Sequence, residues 1–255
     1  MKNIKLLIEY NGTNYCGWQK QKNGLSIQEV ISSAIFTVTG EKVALNGSGR
    51  TDSGVHAVGQ VASFKTKSSI PPERFYFAIN SVLPADISIV SSEEVPQDFH
   101  ARFSVASKTY RYYIWCSERR NAIIPEFAHF VPNQLDLNLL NEAAKLFLGT
   151  HDFRGFMASG SKVESTVREV FNANVFEVDP PFATSAGKML CFEITGSGFL
   201  YNMVRIIAGT LMEVGLGRRT LQEVSVAIES GSRKLAGQTL PANGLFLYKV
   251  FYNES

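Results

Sequence analysis

Cysteine is scarce in this chain: Cys16, Cys116 and Cys191 are the only three in 255 residues, far apart and without C-x-x-C spacing. That argues against a disulfide scaffold and against a thiolate metal site, and it fits a reducing cytoplasm. Charge of one sign is lacking as well. The formal net charge is +2, and a division after Val105 leaves 10 basic and 9 acidic residues before it and 15 and 14 after it. No basic tail or domain therefore announces a polyanion, and only local pairs such as Lys108/Arg111, Arg119-Arg120 and Arg218-Arg219 stand as candidates for one. The N-terminal "MKNIKLLIEYNG" has no apolar run with a small-residue cleavage site, and no uncharged apolar stretch reaches the roughly 20 residues a bilayer requires. The expectation is a cytoplasmic protein with no membrane partner.

What is present is the composition of an ordinary globular chain, 45% hydrophobic and 19% charged, long enough for one large domain or two modest ones. Residues 3–10 alternate as a strand. The capping box Ser26-x-x-Glu29 opens a helix that Gly40 stops, strands at about 42–47 and 57–65 flank a glycine-rich segment, Pro71-Pro72 open a helix to about Val82, and "DISIVSSEEV" is a strand. The order β-α-β-β-α-β is that of the split βαβ, ferredoxin-like unit. It recurs in "SKTYRYYIWC", a helix from the N-cap Asp136 to Gly149, "TVREVFNANVFEV", "KMLCFEITGSG", an apolar helix Phe199–Val214, a short helix from the capping box Thr220-x-x-Glu223, and "LFLYKVFY". The sequence thus predicts an α+β fold with domains at 1–105 and 106–255: two ferredoxin-like halves, antiparallel sheets, helices on one face, and open faces that form a central cleft between the halves.

The segment "LNGSGRTDSGVHAVGQVASF" sets Arg50 and Asp52 among glycines and serines. It is not a dinucleotide fingerprint, because a G-x-G-x-x-G from Gly47 puts Asp52 at the third glycine. Nor is it a Walker A loop, because Val55-His56 stands where Lys-Ser/Thr is needed, and a loop between two strands offers no helix N-terminus to a phosphate. No Ser occupies a G-x-S-x-G elbow, and no Cys has a nucleophile's context. His151-Asp152 has no further ligands nearby and reads as a cap or local hydrogen bond rather than a metal site.

Two other segments stand out. In "FLYNMVRIIAGTLMEVG", Arg205 is surrounded at helical spacing by Leu200, Met203, Val204, Ile206, Ile207 and Leu211. A guanidinium so placed needs a carboxylate unless its stem only lies over apolar neighbours, and Asp52 is the partner the pattern favours. A carboxylate held by Arg50 and Arg205 would be ionised at neutral pH, a poor general acid and a ready nucleophile. In "KTYRYYIWC" the strand alternation puts Tyr110 with Tyr112 on one face. Tyr110 lies between Lys108 and Arg111, so it reads either as core or as a ring on which an unpaired base stacks.

"GSGRTDSGVHAVGQVASF" resembles the catalytic loop of the tRNA pseudouridine synthase A family, G-x-G-R-T-D-x-G-V-H-A. "YNGTNYCGWQKQ", "INSVLPADI", "FHARFSVASKTYRYYI", "HDFRGF", "GSGFLYNMVRIIAGTLMEVG" and "PANGLFL" continue the likeness in order from Lys5 to about Tyr248. Asn11 and Ser48 depart from the family's usual Asp and Ala. The resemblance implies an isomerase that turns uridine into pseudouridine at positions 38, 39 and 40 of the tRNA anticodon stem-loop. It implies Asp52 as the attacking carboxylate, Tyr110 stacked on the flipped uracil and assisting at C5, Arg205 paired with Asp52, and Arg50 on the RNA backbone. No atom is gained or lost in such a reaction, so it implies no cofactor and no metal. It also implies a homodimer with tRNA across both subunits. The rivals are a non-catalytic RNA-binding protein, which would not require an Asp held by two Args, and a small-molecule-binding tandem, which would leave the cations unexplained.

Overall fold

The computed structural model describes residues 1–22, 24–122, 124–132, 134–160, 163–180 and 187–253. In chain order its elements are β1 (Lys2–Tyr10), α1 (Ile27–Thr39), β2 (Asn46–Gly47), β3 (His56–Thr66), α2 (Phe75–Asn80), β4 (Ile87–Glu94) and β5 (Val105–Ser117). There follow β6 (His129–Val131), α3 (Leu137–Lys145), β7 (Gly149–Asp152), β8 (Val167–Val178), β9 (Gly187–Gly196), α4 (Met203–Gly215), α5 (Leu221–Ser230) and β10 (Leu245–Tyr252). They form two compact units, Met1–Ala106 with Phe246–Ser255, and Ser107–Leu245. The fold is α+β, as the pattern of elements predicts.

In the first unit β1 pairs antiparallel with both β3 and β4, and the short β2 lies antiparallel on β3 at Asn46↔Ser63. The resulting order, β4-β1-β3-β2, is the one the split βαβ unit produces. Alternation explains β1: Ile4, Leu6 and Ile8 are wholly buried, while Lys5, Leu7 and Glu9 between them are not. Ser26 accepts the Glu29 N–H at 3.2 Å and Gly40 closes α1 at φ 72°, so local chemistry sets both helix ends. The final strand differs from the sequence-based division, which assigns it to the second half. Phe246 and Leu247 pair in parallel with His56 and Ala57 of β3, and 246–255 belongs to the first unit.

In the second unit β5 pairs antiparallel with β9, β9 with β8, and β8 with β7, while β6 runs parallel to β5. The strands β6 and β7 are additions to the predicted pattern. α3 packs on β8 and α4, and α5 starts at a complete capping box between Thr220 and Glu223.

Four boundaries differ from their expected places, each for a specific hydrogen-bond or backbone reason. Of the strand expected at 42–47 only Asn46–Gly47 remains, because the Gln28 side chain takes the Leu45 carbonyl at 2.9 Å. The helix after Pro71 opens as a 3-10 turn, and Ser92 intervenes there by accepting from Tyr76 N and donating to the Pro72 carbonyl. α3 ends at Lys145 and tightens through i→i−3 bonds from Leu146, Phe147 and Leu148 before Gly149 turns at φ 92°. α4 begins four residues later than expected because Asn202 takes a left-handed φ of 60°.

Candidate active site

The loop between β2 and β3 carries Arg50 and Asp52, and a buried polar network fixes its two ends. Ser48 N–H donates to the Val61 carbonyl at 2.7 Å and its hydroxyl to Gln60 Oε1 at 2.6 Å. Gln60 Nε2 donates to the Gly49 carbonyl at 3.1 Å and reaches the Tyr10 hydroxyl at 3.5 Å. The Tyr10 hydroxyl in turn shares a 2.7 Å bond with Thr51 Oγ1. Burial pushes the Tyr10 hydroxyl well above the usual phenol range, so it stays a neutral partner at any physiological pH. A buried network whose members are satisfied by one another holds a backbone in one conformation.

Around Asp52 itself, Trp18 N–H donates to the Thr51 carbonyl at 3.0 Å, Val55 N–H to the Asp52 carbonyl at 3.1 Å, and the Ser53 hydroxyl to the Tyr15 carbonyl at 3.1 Å. Asp52 is half-buried and Arg50 is exposed. His56, fully buried, accepts from Gly12 N–H through Nδ1 at 3.1 Å and stacks on Phe246 at 4.7 Å. The loop is thus a rigid mount that leaves a carboxylate partly open and a guanidinium in solvent.

Glycines at three positions make this mount possible. A Cβ on Gly47 would sit 2.4 Å from the Trp18 indole, one on Gly12 2.0 Å from the Val55 carbonyl oxygen, and one on Gly17, at φ +102°, 2.4 Å from the Thr51 carbonyl oxygen. The 10–18 segment is therefore a buttress pressed backbone-to-backbone against the loop. Gly17→Ala should cost about 1–3 kcal/mol from backbone conformation alone, with the displaced Thr51 carbonyl adding to it. A Tm lower by roughly 4–10 °C is expected; an unchanged melting curve would show that the close approach does not hold the loop.

Tyr110 and Arg205 belong to the second unit. Tyr110 lies on β5 opposite Ile194, is 8% exposed, and meets the Phe199 ring edge-on at 5.2 Å and 81°. Arg205, in the first turn of α4, is half-buried. Its Nε donates to the Leu240 carbonyl at 2.6 Å and its Nη1 to Asn202 Oδ1 at 2.8 Å, so neutral oxygens of its own unit engage two of its N–H groups. The Arg205 charge reaches Tyr112, whose hydroxyl donates to the Pro241 carbonyl at 2.8 Å and is raised by burial against that charge. The cation expected beside Tyr110 is already engaged: Arg111 pairs with Glu193 at 2.8 Å. Arg219 likewise pairs with Glu213, while Arg119 and Arg120 are exposed.

His151 and Asp152 are in local bonds, as their sequence context suggests. His151 Nε2 lies 2.7 Å from the Leu148 carbonyl, and Asp152 caps the 3-10 turn Phe153–Phe156 while pairing with Arg154. That arginine and the Thr166 hydroxyl draw the Asp152 pKa down to about 2. Among the described residues no three His, Cys, Asp or Glu side chains gather as metal ligands, and no helix is long and apolar enough to cross a membrane.

The residues that sequence reasoning missed are those of the mount: Tyr10, Trp18 and Gln60. The signal available for them was the recurrence of Tyr10 and Trp18 with glycines in "YNGTNYCGWQ", which marks backbone contact.

Comparison with known proteins finds likeness over nearly the whole chain. A protein-family pattern described as tRNA pseudouridine synthase matches residues 6–104 and 143–253. Over 252 residues the chain is 50% identical to the tRNA pseudouridine synthase A of Acetivibrio thermocellus and 49% identical to that of Clostridium acetobutylicum, covering 99% of this chain and 100% of each relative. Caldicellulosiruptor bescii has another relative of the same name, 47% identical over 252 residues, with 99% of this chain and 100% of that protein covered. These relatives are pseudouridine-forming enzymes by name. The chain belongs to the tRNA pseudouridine synthase family. Arg50, Asp52 and Arg205 lie within the matched stretches and Tyr110 between them.

Proposed function

We propose that this chain isomerises uridine to pseudouridine in tRNA, at positions 38, 39 and 40 of the anticodon stem-loop, with Asp52 as the attacking carboxylate. The observation that carries the reading is the Arg50-Thr51-Asp52 loop, mounted by Tyr10 and Gln60 inside the stretch that matches the family. Asp52 attacks the uridine, the N1–C1′ bond breaks, the uracil turns, and C5 bonds to C1′. The C5 proton leaves and N1 gains one, so the atoms balance without a redox or group-transfer partner. A carboxylate suits this role because it is anionic at neutral pH and forms a bond that a later step can break.

Arg50, Tyr110 and Arg205 are the substrate-binding residues in this reading. Arg50, exposed beside the reacting group, meets the RNA backbone. Tyr110 presents a ring already fixed by Phe199, on which the flipped uracil stacks, and its hydroxyl assists proton removal at C5. The two units serve as the two ferredoxin-like domains, the enzyme works in the cytoplasm, and it acts as a homodimer.

The deciding experiment incubates an unmodified tRNA transcript with the protein, without added nucleotide or cofactor, and maps pseudouridine by position. Pseudouridine at 38, 39 or 40 is expected. None at all would overturn the reading, and pseudouridine elsewhere would overturn the site. Light scattering that returned a single 28.2 kDa chain under assay conditions would remove the homodimer.

A further inference from the structure

Phe103 is 76% exposed, and it stands on a segment that the proposed reaction does not use. Single exposed hydrophobic side chains are common and need no explanation. This one differs because the chain spends a dense set of bonds on holding it in solvent. His100 N–H donates to Ser104 Oγ at 3.1 Å, and Ser104 N–H returns to the His100 carbonyl at 3.0 Å. Arg102 and Phe103 N–H both donate to His100 Nδ1, at 3.1 and 3.3 Å. Ala101, wholly buried between them, is anchored by its N–H to Ser63 Oγ at 3.1 Å and by its carbonyl to the Tyr252 hydroxyl at 2.8 Å. The turn is tied to β3 and β10 of its own unit and points its largest apolar ring outward.

The surroundings specify what would cover that ring. His100 lies against Phe103 at 4.4 Å and 36°, and the Arg102 guanidinium is 5.6 Å from the Phe103 centroid. Next to them Phe99 and Tyr252 meet at 4.9 Å, with the Lys5 ammonium 5.9 and 5.6 Å from their centroids. A hollow of about 170 Å³ lined in part by Asn46, Lys65, Phe99 and His100 adjoins the turn. Aromatic faces interleaved with Lys and Arg are the chemistry that takes an unpaired base by stacking and its phosphate by charge. An apolar protein partner would not call for the cations, and a purely electrostatic contact would not call for a held, exposed Phe.

We propose that the His100–Ser104 turn is a second stacking platform, on which Phe103 receives an unpaired base of the tRNA and Arg102 faces the adjoining phosphate. The proposal rests on the reading of the protein as a tRNA enzyme. It adds a positioning residue to that reading and no step to the chemistry.

Phe103→Ala and Phe103→Trp test it, read by equilibrium binding of an unmodified tRNA transcript at several salt concentrations and by steady-state kinetics. Stacking on an aromatic side chain predicts affinity about 5- to 150-fold weaker in Phe103→Ala and restored in Phe103→Trp. KM should rise while kcat changes little. The slope of affinity against salt should stay as in the wild type, because a neutral ring releases no counterion. Both variants binding like the wild type would overturn the platform, and so would a loss that Phe103→Trp does not rescue. Wild-type protein that forms no pseudouridine would instead sink the functional reading, which this binding measurement does not depend on.

Discussion

Asp52→Asn should form no measurable pseudouridine, a loss on the order of 10⁴-fold or more, as expected when a covalent nucleophile is removed. The variant is chosen to keep the side chain's shape and the backbone bonds of the mount. Asn has nearly the same shape, and the mount holds residue 52 through backbone groups: the Asp52 carbonyl accepts from Val55 N–H, and the Thr51 carbonyl from Trp18 N–H. The bonds from Ser48 to Gln60, from Gln60 to Gly49 and between Tyr10 and Thr51 join other groups of the mount. tRNA affinity should therefore stay within about threefold, since it comes from many phosphate contacts spread over the surface. Removing one negative charge would tend to tighten binding to a polyanion. Measuring single-turnover rate and equilibrium binding on the same protein separates chemistry from affinity. Loss of both in parallel, with a lowered Tm, would show that Asp52 holds the loop and that the reacting group is elsewhere.

Where a feature was legible in the sequence, neighbours along the chain decided it. β1 follows from alternation, and α1, α3 and α5 follow from Ser26, Asp136 and Thr220 at their N-caps, each of which accepts a first-turn N–H. The strand after the loop, β3, and the spacing of Arg50 and Asp52 are equally local, whereas only Asn46–Gly47 of the strand expected before it forms. What was not legible depends on partners distant in sequence. The mount joins residues 10, 51 and 60 through one buried network, and no periodicity relates a tyrosine on β1 to a glutamine on β3. The membership of β10 rests on pairing between Phe246 and His56, some 190 positions apart, so a division drawn along the chain could not contain it. Arg111 looked like a free cation beside Tyr110 because its partner, Glu193, is 82 residues away on β9. The helix after Pro71 was displaced by Ser92, a side chain from β4 that captures backbone groups of Pro72 and Tyr76. Roles for the site residues come only from the resemblance, because residue spacing offers a carboxylate between glycines and, separately, an aromatic strand, and names neither a base nor a reaction.

Tyr110→Phe should bind tRNA normally and turn over about 10²–10⁴-fold more slowly, the range that general acid–base assistance supplies. Tyr110→Ala should lose the same chemistry and, in addition, about 1–3 kcal/mol of stacking on the flipped base. The Phe variant is the milder of the two. The ring contact with Phe199 and the pairing of the β5 backbone with Ile194 use no part of the hydroxyl, so the platform survives the substitution. The Ala variant is less clean, because truncating a ring that is 92% covered leaves a cavity beside Phe199, which by itself costs stability on the order of 3–5 kcal/mol. Its affinity must therefore be measured well below its own melting temperature, and the comparison that decides the role is Phe against wild type. Normal binding with slow turnover assigns the hydroxyl to proton transfer at C5. Normal binding with normal turnover leaves Tyr110 as a stacking platform alone, and then only the Ala variant's affinity separates that from a core residue. Native affinity in folded Tyr110→Ala, together with native turnover in Tyr110→Phe, would return the strand to the core and remove Tyr110 from the site.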